Sequence, residues 1–179
     1  IPSPAYRNFL KYFIAWFNRD LEGHIDDQYL KEIYGVSLSA ADSFDFIGNN
    51  YRRILNYHSA HDIGHALQNM NLVGCTALAF WNGKSENDEL IIGRNFDFHA
   101  GDEFNKNLIA CFIKPDSGYR FMTITWGGMI GAVSGMNMQG LTVTLNAAKS
   151  DIPYGTATPV SILAREILQY ATNIDEAIE

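Results

Sequence analysis

The stretch Leu72-Val73-Gly74-Cys75-Thr76-Ala77-Leu78-Ala79-Phe80-Trp81 divides the chain into two halves of different periodicity. Upstream, apolar residues recur at helical spacing. Ser3-Pro4 is a helix start, a cap donor followed by proline, and Tyr6, Phe9, Leu10, Phe13, Ile14, Phe17 and Leu21 then follow one helical face. The pattern predicts a second helix over 26–34, stopped by Gly35, and one or two more over 49–68 with an interruption near Gly64. Downstream of Gly74 the period becomes that of strands.

Three hairpins are expected there. Strands 75–81 and 89–96 flank the turn-rich Asn82-Gly83-Lys84-Ser85-Glu86-Asn87-Asp88, and strands 108–114 and 119–126 flank Pro115-Asp116-Ser117-Gly118. Strands 129–134 and 141–147 flank 135–140, where Asn137 reads as a turn residue tolerant of left-handed backbone. Thr158-Pro159 opens an amphipathic helix carrying Val160, Ile162, Leu163, Ile167 and Leu168, and 173–179 begins another. The class predicted is α+β: a helical leader over 1–74, then an antiparallel sheet with helices packed on it over 75–179.

Composition sets outer bounds. A chain of 179 residues, 47% hydrophobic and 13% aromatic, can bury a substantial core. The net charge of −7, with no basic block interleaved with aromatics, argues against a nucleic-acid partner. No apolar run is long enough to span a bilayer and no signal peptide is visible. The chain begins at Ile1 rather than Met, which leaves room for an upstream segment. Two cysteines, Cys75 and Cys111, do not make a disulfide framework, and Cys111 reads as a core thiol in a strand. Compartment stays open, with a secreted or periplasmic location marginally ahead of the cytoplasm.

The chemistry lies at the junction. With the first turn centred near Ser85, residues whose numbers add to about 170 oppose one another, which brings Arg94 beside Cys75 within a register error of one or two. Asp97 is expected just past the strand end, able to reach the same corner. A guanidinium there favours thiolate and so activates a nucleophile. The base is open to two readings. One is His99, as a Cys–His pair on another fold. The other is the α-amino group of Cys75 itself, freed by cleavage after Gly74, with an ordinary pKa of about 8 that suits proton transfer near neutrality. Taken singly these residues are bland: a buried thiol and an ion pair at a strand end. Their combination at the helix-to-strand switch is what carries weight.

The motifs Gly74-Cys75-Thr76, Gly93-Arg94-Asn95-Phe96-Asp97-Phe98 and Gly140-Leu141-Thr142-Val143-Thr144-Leu145-Asn146 together resemble the cysteine N-terminal-nucleophile (Ntn) hydrolases. The likeness is closest to the isopenicillin-N acyltransferase-like branch, with kinship to choloylglycine hydrolase, acid ceramidase and N-acylethanolamine acid amidase. It implies a four-layer αββα sandwich, of which this chain holds the N-terminal part and which continues beyond Glu179. It implies Cys75 as nucleophile, exposed by autocatalytic cleavage of the Gly74–Cys75 bond, with Arg94 and Asp97 holding the nucleophile and its amine. Asn146 is implied as oxyanion donor. The reaction implied is hydrolysis or acyl transfer at a linear amide through a thioester, on a small acyl-amide substrate, with no cofactor and no metal. Ala147-Ala148 stand where the ceramidase-like branch has Glu-Arg, so ceramide or ethanolamide specificity does not carry over.

Other features have weaker readings. His58, His61 and His65, with Asp62 beside them, share one helical face; metal ligation is set below hydrogen bonding within the leader, and a helix that positions the scissile bond lies between. The aromatic stripe of the first helix, including Trp16, is core packing or a peripheral lipid contact. A homo-oligomer and a catalytically silent acyl-chain-binding protein also fit the sequence.

Overall fold

The computed structural model describes residues 3–66, 73–98, 102–148, 151, 155 and 157–179. Helix α1, Pro4–Phe17, begins where the Ser3 hydroxyl accepts from the Tyr6 amide at 3.2 Å, the cap its sequence announces. Helix α2, Asp27–Ser37, is capped by the Asp26 carboxylate and runs through Gly35 instead of stopping there. A mid-helix glycine costs about 1 kcal/mol relative to alanine. Burial of Tyr29, Ile33 and Ser37 along one face outweighs it. Helices α3, Asn50–His58, and α4, Ala60–Ala66, are divided at Ser59, not at Gly64, which lies buried within α4. The reason is polar: Asn18 Nδ2 donates to Ser59 Oγ at 2.6 Å and to Asn56 Oδ1 at 2.7 Å, pinning the break against the end of α1.

Among the described residues six strands follow, in two antiparallel sheets. β1, Val73–Phe80, pairs with β2, Ile91–Phe98. β3, Leu108–Ile113, β4, Phe121–Trp126, β5, Ser134–Asn137, and β6, Thr142–Thr144, form a meander in chain order. The third hairpin is shorter and later than its sequence suggests, since 135–137 is strand and not turn. Asn137 explains the change. It is buried, donates to the carbonyls of Leu168 and Ala171, and accepts the amides of Gln139 and Leu141, so it ties the turn to the following helix. The left-handed residue of the turn is Gly140, with φ of 83°. Gly135 is required within β5 because a Cβ there would lie 2.5 Å from the Met122 carbonyl oxygen.

Helix α5, Val160–Tyr170, covers one face of the β3–β6 sheet, where Phe121, Ala132, Ala164 and Leu168 form a core. Helix α6, Ile174–Ile178, opens on a cap in which Asn173 Oδ1 accepts the Glu176 amide and the Glu176 carboxylate accepts the Thr172 amide. The other face of the sheet meets β1–β2: the rings of Phe96 and Trp126 lie 5.3 Å apart, and Arg94 reaches Ser134. The order of layers is helix, sheet, sheet. Beyond the second sheet, Leu78, Phe80 and Ile91 stand about half exposed.

The helical segment is not a detached unit. Leu21, Ile25, Tyr29, Ile33 and Leu55 pack in one cluster with Ile130 and Ile162 from the later part of the chain. Arg165 on α5, 1% exposed, forks onto both carboxylate oxygens of Glu32 on α2 at 2.6 Å and lies over the Tyr29 ring. These contacts join residues 1–66 to α5 through a shared apolar core.

Candidate active site

The β1–β2 register sets the geometry. Cys75 opposes Phe96, Arg94 opposes Ala77, and Asp97 opposes Gly74. Arg94 is therefore one diagonal away from Cys75, not directly across, because the turn occupies all of 81–90 and shifts the pairing by two. Both side chains still share a face, and the long guanidinium arm spans the diagonal: Nη2 lies 3.8 Å from Cys75 Sγ. Asp97, expected at the same corner, falls within β2 on the opposite face, beside Gly74. A Cβ on Gly74 would sit 3.7 Å from that of Asp97.

Arg94 is held from three sides. Nη1 donates to Ser134 Oγ at 2.7 Å, Nη2 donates to the Leu145 carbonyl, and the guanidinium lies 4.5 Å over the Phe96 ring. Burial holds its pKa below the ordinary arginine value, while Cys75 and Asp97 act in the opposite direction. The result is a fixed cation beside a half-buried thiol, tied to both sheets. Ser134 is a site residue that sequence reading missed. Nothing local marks it; only the register of β5 against β4 and the reach of Arg94 reveal it.

Asn146 follows the carbonyl that Arg94 binds, which puts it next to the guanidinium along the chain. Its side chain is exposed and turned back onto its own strand, with Nδ2 donating to Thr144 Oγ1 at 3.1 Å. Beside Arg94 a cleft of about 380 Å³ opens between the sheets, walled by Leu90, Ile92, Met122, Ile124 and Met136. His99 lies outside the described residues. Cys111, on β3, is half-buried and unpaired with Cys75; both cysteines are free thiols.

The histidines part company. His58 is buried, with Nδ1 bonded to the Ile54 carbonyl at 2.8 Å and Nε2 accepting the Ile130 amide at 2.9 Å, so Nδ1 carries the proton. Burial lowers its pKa to about 4. Asp62 accepts the Val160 amide at the start of α5, a cap that Pro159 cannot supply, and burial raises its pKa to about 6. Among the described histidine side chains, His61 alone approaches the site, its ring 6.2 Å from that of Phe96. The side chain of His65 is not described. Among the described residues no three His, Cys, Asp or Glu side chains cluster as metal ligands.

The family described as acyl-coenzyme A:6-aminopenicillanic acid acyl-transferase matches residues 81–179, more than half of the chain. The chain belongs to that family, which is part of the Ntn-hydrolase superfamily. The matched span contains Arg94, Asp97 and Asn146 and begins just after Cys75. An uncharacterised protein of Archaeoglobus fulgidus is 23% identical over 115 residues, a stretch that covers 63% of this chain and 19% of that relative. The chain thus spans about a fifth of the relative's length.

Proposed function

We propose that the chain is part of a self-processing cysteine amidohydrolase or acyltransferase that cuts linear amides through a thioester. The observation that carries the reading is the 3.8 Å approach of Arg94 to Cys75 Sγ at a Gly-Cys bond. The helix–sheet–sheet order accords with three of the four layers of an αββα Ntn sandwich.

In the first reaction Cys75 Sγ attacks the Gly74 carbonyl carbon. The C–N bond breaks, the departing nitrogen takes up the thiol proton, and the acyl group passes to sulfur. Water then hydrolyses the thioester, leaving a Gly74 carboxylate and a Cys75 bearing both thiol and free amine. Gly74 suits this step because it has no side chain to obstruct the turning of its carbonyl towards sulfur. Arg94, 3.8 Å from Cys75 Sγ, faces the negative charge that develops on sulfur in this step, and Asp97, beside Gly74, would hold the new amine.

In the second reaction the amine of Cys75 takes the thiol proton as sulfur attacks the substrate carbonyl, then passes it to the leaving amine. Asn146, turned off Thr144, supplies an oxyanion donor of a kind worth a few kcal/mol of barrier. Water or a second amine resolves the thioester, which distinguishes hydrolysis from transfer. Residues 1–74 act as the leader in this scheme. Because residues 1–66 share a core with α5, the cut leaves the two pieces packed together.

The test is intact mass and N-terminal sequencing of the full-length product, beside Cys75→Ala. The expected result is a new N-terminus at Cys75 in the wild type and none in the variant. A single uncut chain that still turns over amides would sink the proposal.

A further inference from the structure

Phe96 stands at the centre of the site although its ring takes part in no chemical step. It directly opposes Cys75 in the β1–β2 pairing and follows Arg94 by two residues, so the three side chains share the inner face of the hairpin. The guanidinium carbon of Arg94 lies 4.5 Å from the centroid of its ring. A cation at that distance is attracted by the negative face of an aromatic ring.

The aim of Arg94 depends on more than its hydrogen bonds. Nη1 donates to Ser134 Oγ and Nη2 to the Leu145 carbonyl, two contacts that fix where the fork lies. They leave the tilt of its plane free, and tilt decides where the second Nη2 hydrogen points. That hydrogen serves Cys75 Sγ, 3.8 Å from Nη2. A ring held against the guanidinium removes this freedom. An aliphatic side chain is no substitute. Burial already works against the charged form of Arg94, and an alkyl neighbour adds burial without a negative face.

The ring is itself braced by two other elements. The Trp126 ring, on β4, lies 5.3 Å from it at an interplanar angle of 51°, and the His61 ring, on α4, lies 6.2 Å away at 31°. Trp126 is buried, so the second sheet sets one wall and the segment before the Gly74–Cys75 bond sets another.

We propose that Phe96 is a positioning residue of the Cys75 site: its ring fixes the tilt of the Arg94 guanidinium and keeps Nη2 turned to the sulfur. The assignment rests on the proposed role of Cys75 as nucleophile, and it makes Trp126 and His61 the supports of that ring.

The experiment is the rate of iodoacetamide alkylation of Cys75 in the full-length protein at fixed pH, followed by peptide mass with Cys111 as internal reference. It is run on the wild type, on Phe96→Leu, and on protein carrying a ring-trifluorinated phenylalanine in place of Phe96, each also in an Arg94→Gln background. Trifluorination keeps the shape of the ring and withdraws negative charge from its face. Both changes should slow alkylation by about three- to tenfold, the trifluorinated protein at unchanged melting temperature. In the Arg94→Gln background neither should alter the rate by more than about 1.5-fold.

A rate indifferent to trifluorination overturns the proposal, because the ring then only fills space. Equal slowing in the Arg94→Gln background overturns it too, since the ring then acts on the thiol directly. Faster alkylation in Phe96→Leu overturns it as well, by making the ring a shield. If Phe96→Leu does not fold, the trifluorinated protein decides. Alkylation reads the thiol without turnover, which keeps the two proposals separable. An uncut, inactive protein with the expected pattern sinks the proposed function and leaves the hold of Phe96 on Arg94 standing. A cut and active protein indifferent to trifluorination removes only the role of Phe96.

Discussion

Acidification from neutrality to about pH 4 sets two buried groups against each other. His58 has its pKa lowered from 6.5 to about 4 by burial, with both ring nitrogens committed to backbone partners. The unfolded chain therefore binds this proton more readily, and the stability His58 contributes falls as pH drops from 6.5 towards 4. At roughly 1.36 kcal/mol per pH unit, the loss is about 3 kcal/mol. Asp62 has the opposite sign. Its pKa is raised from 3.8 to about 6 by burial, so the folded chain binds the proton more readily and gains about 3 kcal/mol as pH falls through the same window.

The two contributions nearly cancel in the wild type and reappear when either group is neutralised. His58→Gln keeps an acceptor for the Ile130 amide and removes the titration. Its unfolding free energy, read from urea curves, should rise by about 3 kcal/mol relative to wild type between pH 6.5 and pH 4. Asp62→Asn keeps an acceptor for Val160 and should fall by about the same amount over that range. The double variant should return to the wild-type profile, since the two side chains have separate partners. A His58→Gln profile parallel to wild type within about 0.5 kcal/mol would refute the assignment of His58 as a neutral, doubly bonded core residue.

Three further outcomes follow from named contacts. Arg94→Lys replaces a fork that serves Ser134, Leu145 and Cys75 at once with a single ammonium, and should slow iodoacetamide alkylation of Cys75 by about tenfold at fixed pH, with Cys111 as internal reference. Glu32→Gln removes the charge partner of a guanidinium that is 1% exposed. It should lower stability by roughly 1–3 kcal/mol in thermal or urea unfolding, with part restored by adding Arg165→Met. Gly118→Ala places a Cβ 2.3 Å from the Gln169 carbonyl oxygen at a φ of 92°, where the Tyr119 amide bonds that same oxygen. A loss of about 3 kcal/mol or more in the urea midpoint is expected.

Helix α1 and α5 were legible in the sequence because each carries its start signal and its apolar period within one local window. The end of α2 was not, because Gly35 is a local stop signal overruled by Tyr29 and Ile33 burying against residues far along the chain. Asn137 misled for the same reason. Its local preference is for turns, yet its amide is spent on carbonyls some thirty residues away on α5. Ser134 left no trace in sequence, since its role depends on where β5 meets the arm of an arginine from the other sheet.

The pairing of Cys75 with Arg94 shows which part of a register argument is robust. Centring the turn near Ser85 brings Arg94 beside Cys75 only within a register error of one or two; the actual pairing sets Arg94 two residues from the position directly opposite Cys75. An error of two leaves every side chain on its face, because the side-chain period of a strand is two. It changes a direct neighbour into a diagonal one, about 7–8 Å away at the backbone, which a short side chain cannot cross and an arginine can. An error of one would have put Arg94 on the outer face with Gly74 and left the thiol without a cation. That fate fell to Asp97, whose odd offset from Arg94 sends it to the far side of the hairpin. The same parity that takes its carboxylate away from the sulfur sets it beside Gly74, on the peptide whose cleavage would create an amine for it to hold.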